Sequence, residues 1–296
     1  MAVVRKVRVM INPNSGPISV LGRLYQVCEK HWNVDGIDMT YQISRSAEDG
    51  RAKVRRAMDD GVDTVIVAGG DGMVNSIGSE LIGSDVALGV IPTGSGNGFA
   101  RHFGISMNCE KAVVALLDAE VRSIDVGTLN GRPFFVTASM AWDAAMVEYI
   151  ERSPVRGVLP YVFSAVYGYF DYTPQPVDLV FEDGEKMHME KPLILTVANM
   201  TQFGGGAKIA PQAKADDGLL ELVAISKSGK NVFSNLSRLF DGTLDSHESV
   251  TTRRFSHLTI ERENPASVQT DGELLGAPSK IEITVLPRAL NVLVPA

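Results

Sequence analysis

Hydrophobic and polar positions in the first 125 residues follow two alternating patterns. Continuously apolar runs such as TVIVA (Thr64–Ala68) and VALGVIP (Val86–Pro92) lack the period-two alternation of a half-exposed strand, so they predict strands buried on both faces. Helical spacing follows such runs, as at Leu24, Cys28 and Trp32. Repeated strand, loop and helix units predict a parallel sheet with helices on both faces.

The pattern changes from about Asp125, where short strand-like runs are separated by turn residues. These runs are PFFVTASM, VDLVF, LILTVAN, LLELVAI, FSHLTI, ASVQT and KIEITVL. They predict an antiparallel β-sandwich, interrupted by a helical stretch from Val155 to Phe170. We therefore expect an α/β domain over 1–125 and a β-sandwich domain over 126–286, and the tail 287–296 is a candidate to return to the first domain.

Composition narrows the class of protein. A length of 296 residues favours two domains, and a net charge of −7 argues against a dedicated nucleic-acid binder. The two cysteines, Cys28 and Cys109, have no metal-ligand spacing and fit a reducing compartment. No run of 18 uncharged apolar residues occurs, so we expect a cytoplasmic protein that touches membranes only from the side.

Three glycine-rich loops each follow a predicted strand: NPNSG (Asn12–Gly16), GGDG (Gly69–Gly72) and PTGSGNG (Pro92–Gly98). Such loops lie at the carboxyl edge of a parallel sheet, where glycines let the backbone approach a ligand and helix N-termini attract phosphate. A P-loop lysine is missing, and Phe99 replaces the third glycine of the dinucleotide fingerprint. The loops predict a nucleotide site of another design, although tight strand-to-helix connections would also explain a single loop.

The motifs GGDG, PTGSGNGFAR and NMTQFGGGAKIAPQAKADDGLLEL, in this order between Asn12 and Glu273, resemble the diacylglycerol kinase catalytic family, which includes bacterial lipid kinases and the sphingosine and ceramide kinases. The resemblance implies a three-layer α/β nucleotide-binding domain of the kind shared with NAD kinases. It also implies transfer of the γ-phosphoryl group of ATP, with Mg²⁺, to the hydroxyl of diacylglycerol or a sphingoid base. The resemblance further implies that the protein contacts the inner face of the membrane peripherally. Whether the protein forms a homodimer is left undecided by the sequence.

The same resemblance identifies the positions that bind the nucleotide. They are Asn12, Ser44, Gly69, Gly70, Gly72, Met73, Asn75, Ser95 and Asn97. Small residues allow close approach, and hydroxyl or amide groups complement phosphate and ribose oxygens. Asp71 would repel a phosphate, so we expect it to bind magnesium, order water or hold the loop backbone; capping of the following helix is the alternative.

By similarity, Glu273 occupies the position of the family's general base, beside Asp271. A carboxylate suits an acceptor hydroxyl that must lose a proton, and the loose transition state of phosphoryl transfer does not require a strong base. The alternative is that the Asp-Gly pair only forms a two-residue hairpin turn.

Two further positions follow from the resemblance. The Asp217 carboxylate, with the main-chain carbonyls of Lys214 and Leu219, matches a structural site for Mg²⁺ or Ca²⁺; a bare Asp-Gly turn is the alternative. Asp143 lies where sphingosine kinases place an acidic residue that holds the polar head of the lipid. An exposed loop or helix-cap carboxylate is its alternative.

Met73 and Gly98 depart from the usual diacylglycerol kinase pattern, which has a hydroxyl residue and an aspartate there, and both are closer to sphingosine kinases. Two rival functions stay open. An NAD kinase would share GGDG, and a non-catalytic lipid or nucleotide sensor would keep the fold. The presence of Asp71 and Glu273 favours an enzyme.

Overall fold

The computed structural model describes residues 5–13, 18–145, 172–227 and 236–295. The chain divides into two compact units. The first contains Met1–Asp125, Gly204–Gly206 and Pro287–Ala296, and the second contains Val126–Phe203 and Ala207–Leu286. The predicted order of an α/β domain followed by an antiparallel β domain is confirmed. The predicted helix Val155–Phe170 lies outside the described residues.

The first unit is built on a parallel sheet with the strand order β2-β1-β3-β4. Its strands are β1 (Arg5–Ile11), β2 (Ile37–Ile43), β3 (Thr64–Gly69) and β4 (Ala87–Pro92). Its helices are α1 (Ile18–Trp32), α2 (Ala47–Asp59), α3 (Asp71–Gly78), α4 (Gly98–His102) and α5 (Cys109–Leu117), with a 3₁₀ turn at Ser79–Leu81. Every residue of β3 and β4 is buried, as their unbroken apolar runs predict.

Two helices of this unit begin directly after a polar residue whose side chain caps the helix. The Ser46 hydroxyl accepts the N–H of Asp49 at 3.1 Å, and Asn108 accepts the N–H of Lys111 at 3.1 Å. Helix α4 differs, because its N-cap residue Asn97 makes no such hydrogen bond from its side chain. The cap of α4 therefore has to come from elsewhere in the chain.

The second unit contains two sets of antiparallel strands. They are β6 (Arg132–Phe134), β7 (Thr137–Ser139), β8 (Val177–Phe181), β9 (Lys186–Met189), β10 (Pro192–Ala198), β11 (Leu220–Ser226), β12 (Val250–Phe255), β13 (His257–Arg262), β14 (Ala266–Thr270) and β15 (Glu273–Ala277). Strand β5 (Glu120–Leu129) enters this unit from the first, and β16 (Lys280–Val294) returns to the first. Short helical segments lie at Leu236–Asp241 and Leu244–Ser246.

One set has the order β12-β11-β10-β7-β14-β15, and in the other β13 pairs with β8 and β16. A single apolar core joins them: Leu195 and Leu222 of the first set share it with Leu179, Leu258 and Ile281 of the second. Packing of two antiparallel layers over one core is the arrangement of a β-sandwich.

Candidate functional site

The register of the parallel sheet brings four strand ends into one row. Ile11 lies opposite Ile43 and Ala68, and Ala68 lies opposite Ile91. The residues that follow this row are Asn12, Ser44, Gly69 and Pro92. The strand ends that carry the predicted nucleotide-binding residues thus meet at one sheet edge. Residues 14–17, which include the end of the NPNSG motif, lie outside the described part of the chain.

Close contact between two glycine loops explains part of this composition. A Cβ atom on Gly94 would lie 2.6 Å from the Cα atom of Gly70, which is nearer than real Cβ atoms come. Similarly, a Cβ atom on Gly204 would lie 2.8 Å from the Cα atom of Gly96, whose carbonyl accepts the N–H of Gly205 at 2.9 Å. Backbone packing requires glycine at these positions, independently of any ligand.

Gly72 differs from these glycines. It is the second residue of α3 and is exposed, and no described atom lies within 4 Å of the position that its Cβ would occupy. The neighbouring Met73 side chain packs on the end of β3, since a Cβ on Gly69 would lie 2.7 Å from its sulfur. Open space at the N-terminus of a helix suits a phosphate group.

Asp71 caps a helix other than its own. Its carboxylate accepts the N–H groups of Gly98 and Phe99 at 2.9 and 3.0 Å, at the start of α4. The alternative that Asp71 caps the helix after it is wrong, because α3 begins beyond Gly70 and its cap has no hydrogen bond from a side chain. Asp71 therefore holds one glycine loop against the next, which is one of its predicted roles.

The other predicted nucleotide-binding side chains differ in their burial. Asn97 is 6% exposed, and its amide bonds the N–H and the carbonyl of Gly94 at 3.1 and 2.7 Å, so it shapes the loop. Ser44 is buried and donates to the carbonyl of Ser46 at 2.8 Å. Ser95 is exposed, and Asn75 is half-buried in α3.

Asp271 and Glu273 lie on the β14–β15 hairpin. Asp271 and Gly272 have φ values of 48° and 85°, so the Asp-Gly pair forms the predicted two-residue turn. The Asp271 carboxylate is buried and accepts the N–H groups of Phe135, Val136 and Thr137 at 2.8, 2.8 and 3.1 Å. Asp271 therefore positions the turn, and Glu273, two residues later, is exposed.

Asp217, the carboxylate of the predicted structural cation site, forms an ion pair with Arg254. One oxygen of Asp217 accepts the N–H of Leu219 at 3.1 Å, and the other pairs with the guanidinium of Arg254. Lys214 is exposed in the same loop, and Gly218 has a φ of 77°. The ion pair with Arg254 competes with a divalent ion for the Asp217 carboxylate, and the metal site stays a prediction. Within the described ranges, no cluster of three His, Cys, Asp or Glu residues has metal-binding geometry.

Asp143 is buried inside the second unit. It is 4% exposed, and its carboxylate accepts the N–H groups of Ala141 and Ala144 at 3.0 and 3.2 Å and the hydroxyl of Thr196. The alternative of an exposed loop carboxylate is wrong, whereas the hydrogen bonds from the N–H groups of Ala141 and Ala144 agree with the alternative of a cap. Burial raises the pKa of the Asp143 carboxyl above its usual value, and the hydrogen bonds it accepts oppose this shift.

Sequence reasoning missed the residues that surround Asp143 and the hairpin turn. Ser139, Thr196 and Gln269 are polar, yet each is at most 4% exposed. The only signal in the sequence is a glutamine two residues before an Asp-Gly turn. Of the apolar residues that could line a lipid pocket, Trp142 is half-buried, whereas Met146, Tyr161, Phe163 and Tyr167 lie outside the described residues. Among the residues that the structure describes, no helix is long and apolar enough to cross a membrane.

Comparison with known proteins assigns each part of the chain to a family model. Residues 6–129 match the diacylglycerol kinase catalytic domain, and residues 136–294 match the YegS C-terminal NAD kinase beta sandwich-like domain. A diacylglycerol kinase from Mycobacterium tuberculosis is 30% identical over 301 residues, which cover 98% of this chain and 95% of the relative. A protein from Chromohalobacter salexigens named "Probable lipid kinase YegS-like" is 31% identical, covering 80% of this chain and 78% of the relative.

Solved structures agree on the fold. One from Bacillus anthracis has a TM-score of 0.79 at 22% identity, covering 98% of this chain and 97% of the other. A second from this organism, a diacylglycerol kinase, has a TM-score of 0.72 at 20% identity with the same coverage. These structures share the arrangement of an α/β domain followed by a β domain.

Proposed function

Because the chain belongs to the diacylglycerol kinase catalytic domain family of lipid kinases, we propose that it transfers the γ-phosphoryl group of Mg²⁺-ATP to a lipid hydroxyl. The observation that carries this proposal is the exposed Glu273 on a turn that Asp271 holds through three backbone N–H groups. A carboxylate that follows a turn with a fixed backbone is a suitable candidate for a positioned proton acceptor.

In this proposal the nucleotide binds at the carboxyl edge of the parallel sheet of the first unit, where the glycine-rich loops lie. We assign the phosphates to the open space at Gly72, where the start of α3 attracts negative charge. Asp71 holds the adjoining loop through Gly98 and Phe99 and so keeps this edge in one shape. Magnesium bound to ATP would supply positive charge that offsets the phosphate charge during transfer.

Glu273 receives the proton of the acceptor hydroxyl in this proposal. Phosphoryl transfer passes through a loose transition state, so the proton leaves late and an ordinary carboxylate is basic enough. The Glu273 side chain acts on the substrate, whereas Asp271 acts on the backbone that carries Glu273. Asp71 and Asp271 are therefore positioning residues in this proposal.

The acceptor that we propose first is diacylglycerol. Met73 and Gly98 favour a sphingoid base, but Asp143, the residue expected to hold the sphingoid head group, is buried and engaged by Thr196 and backbone N–H groups. A lipid acceptor implies that the protein works at a membrane surface as a peripheral enzyme, with ATP and lipid as its partners. An NAD kinase activity and a non-catalytic sensor are the rival functions.

Transfer of ³²P from labelled ATP to a panel of acceptors tests the proposal. The panel contains diacylglycerol, sphingosine, ceramide, phosphatidylglycerol and NAD, each with and without Mg²⁺. We expect label on diacylglycerol only when Mg²⁺ is present. Label on sphingosine would show that the acceptor is a sphingoid base and not diacylglycerol. Label on NAD alone would contradict the lipid kinase proposal. ATP binding without any labelled acceptor would favour a non-catalytic sensor.

A further inference from the structure

A buried chain of polar side chains runs through the second unit to the turn that carries Glu273. Gln269, in β14, accepts the N–H of Gly272 at 2.8 Å through its Oε1 atom and donates from Nε2 to the Ser139 hydroxyl at 2.8 Å. The Ser139 hydroxyl lies 3.2 Å from that of Thr196, which donates to the carboxylate of Asp143.

The direction of each hydrogen bond follows from the Gly272 end. A backbone N–H can only donate, so the Gln269 carbonyl must face Gly272 and its NH₂ group must face Ser139. The Ser139 oxygen accepts this donation. Because the Thr196 hydroxyl donates to Asp143, the Ser139 proton points to the Thr196 oxygen. These hydrogen bonds therefore allow only one orientation of the Gln269 amide.

Burial makes this arrangement costly unless every member is satisfied. Ser139 and Thr196 are 0% exposed, and Asp143 and Gln269 are 4% exposed. Apolar residues of similar size would avoid the cost of desolvating four polar side chains. Among the hydrogen bonds of the described residues, the one from the N–H of Gly272 to Gln269 links this polar network to the β14–β15 turn.

Both residues of the turn are consequently held by side chains. Asp271 is held by its own carboxylate, and Gly272 is held by the Gln269 amide. Glu273 follows directly, so the two restraints fix the backbone from which its exposed side chain extends. A fixed backbone limits the carboxylate to few positions, which is what a proton acceptor requires.

We propose that Gln269, oriented by Ser139, Thr196 and Asp143, is a positioning residue for phosphoryl transfer that acts through Glu273. The inference rests on the proposed function, since it needs Glu273 to act on the acceptor hydroxyl. Gln269 and the three residues behind it contact the backbone and one another, and they do not contact the substrates.

Replacement of Gln269 by methionine keeps the volume of the side chain and removes both hydrogen bonds. We expect the kcat of Gln269→Met to fall about 10- to 100-fold, with the KM values for ATP and lipid within about twofold of wild type. Thr196→Val, which removes a hydroxyl further along the chain, should lower kcat in the same direction, and Thr196→Ser should restore it. Thr128→Val is the control. It removes a partly buried hydrogen bond between the hydroxyls of Thr128 on β5 and Thr284 on β16 (2.6 Å), which are not on the β14–β15 hairpin. It should lower stability and leave kcat unchanged.

A double-mutant cycle separates positioning from general damage. If Gln269 acts through Glu273, adding Gln269→Met to Glu273→Gln should produce almost no further loss of kcat. Full additivity, or equal kcat losses for Gln269→Met and Thr128→Val, would overturn the positioning role. Unchanged kcat in Glu273→Gln alone would instead refute the base assignment of the proposed function, so the two failures are distinguishable.

Discussion

At the scale of single residues, the glycines at the sheet edge divide into two kinds. Gly70 and Gly94 are glycines because their backbones touch, whereas Gly72 faces open space. The sequence motif GGDG does not distinguish these roles, since both kinds read as a flexible turn. Substitution by alanine separates them, because the added methyl group meets protein in one case and ligand space in the other.

Gly72→Ala should increase the free energy of unfolding by about 0.5–1 kcal/mol, because alanine is the better helix former and its methyl group meets no described atom. The same change should raise the Kd for ATP about tenfold or more, since the methyl group occupies the proposed phosphate space. Urea unfolding and titration with ATP measure the two effects.

Gly94→Ala is the contrasting variant, because its added methyl group would meet the backbone of Gly70. Its free energy of unfolding should fall by about 1–3 kcal/mol. If Gly72→Ala binds ATP with unchanged affinity, the phosphates do not bind at Gly72.

At the scale of the elements, carboxylates in turns hold distant segments together. Asp71 joins the start of α3 to the start of α4, 27 residues away, and Asp271 joins the β14–β15 turn to backbone 135 residues away at Val136. Propensity and spacing predicted the turns themselves. The partners could not be predicted, because a hydrogen bond across such separations depends on the packed sheets and not on local sequence.

Asp271→Asn should lower the free energy of unfolding by about 2–4 kcal/mol, because one carboxylate oxygen becomes an NH₂ group that faces a backbone N–H. Asparagine tolerates the positive φ of this position, so the change tests the hydrogen bonds and not the backbone. Guanidinium unfolding measures the loss. A change below about 0.5 kcal/mol, the size of an ordinary surface substitution, would contradict the positioning role of Asp271.

The buried Asp143 carboxyl should make stability depend on pH. Because its pKa is raised in the folded state, the folded protein keeps a proton that the unfolded chain releases above the ordinary value of 3.8. The free energy of unfolding then falls as the pH rises from this value towards the raised one. Asp143→Asn removes the titration, so its stability relative to wild type should increase between about pH 4 and pH 7. Urea unfolding at both pH values measures this, with the exposed Asp35→Asn as control; a difference that is constant with pH would contradict it.

The Asp217 loop gives a prediction about metal removal. Because Arg254 already neutralises the Asp217 carboxylate, Mg²⁺ or a chelator added without ATP should leave the melting temperature unchanged. Differential scanning fluorimetry with and without each additive makes the test. A rise with Mg²⁺ that disappears in Asp217→Ala, and persists in a variant of an exposed aspartate such as Asp35→Ala, would restore the structural cation site.

At the scale of the whole molecule, the sequence predicted the order of the domains, the glycine loops on the first and the hairpin turn on the second. These features depend on strand periodicity and turn chemistry, which are local. The roles within the site were less predictable. Asn97 and Asp271 belong to the right loops, but their side chains bond to the protein, and the buried Gln269 carries no motif of its own.

In the proposed reaction Glu273 accepts the proton of the lipid hydroxyl, and the variant Glu273→Gln removes this function. The glutamine keeps the size of the side chain and removes its basicity, so turnover with labelled ATP and diacylglycerol should fall about 100- to 10,000-fold while the Kd for ATP stays within about twofold. Glu282→Gln, an exposed carboxylate on β16, should leave both values unchanged. Wild-type turnover in Glu273→Gln would contradict the account.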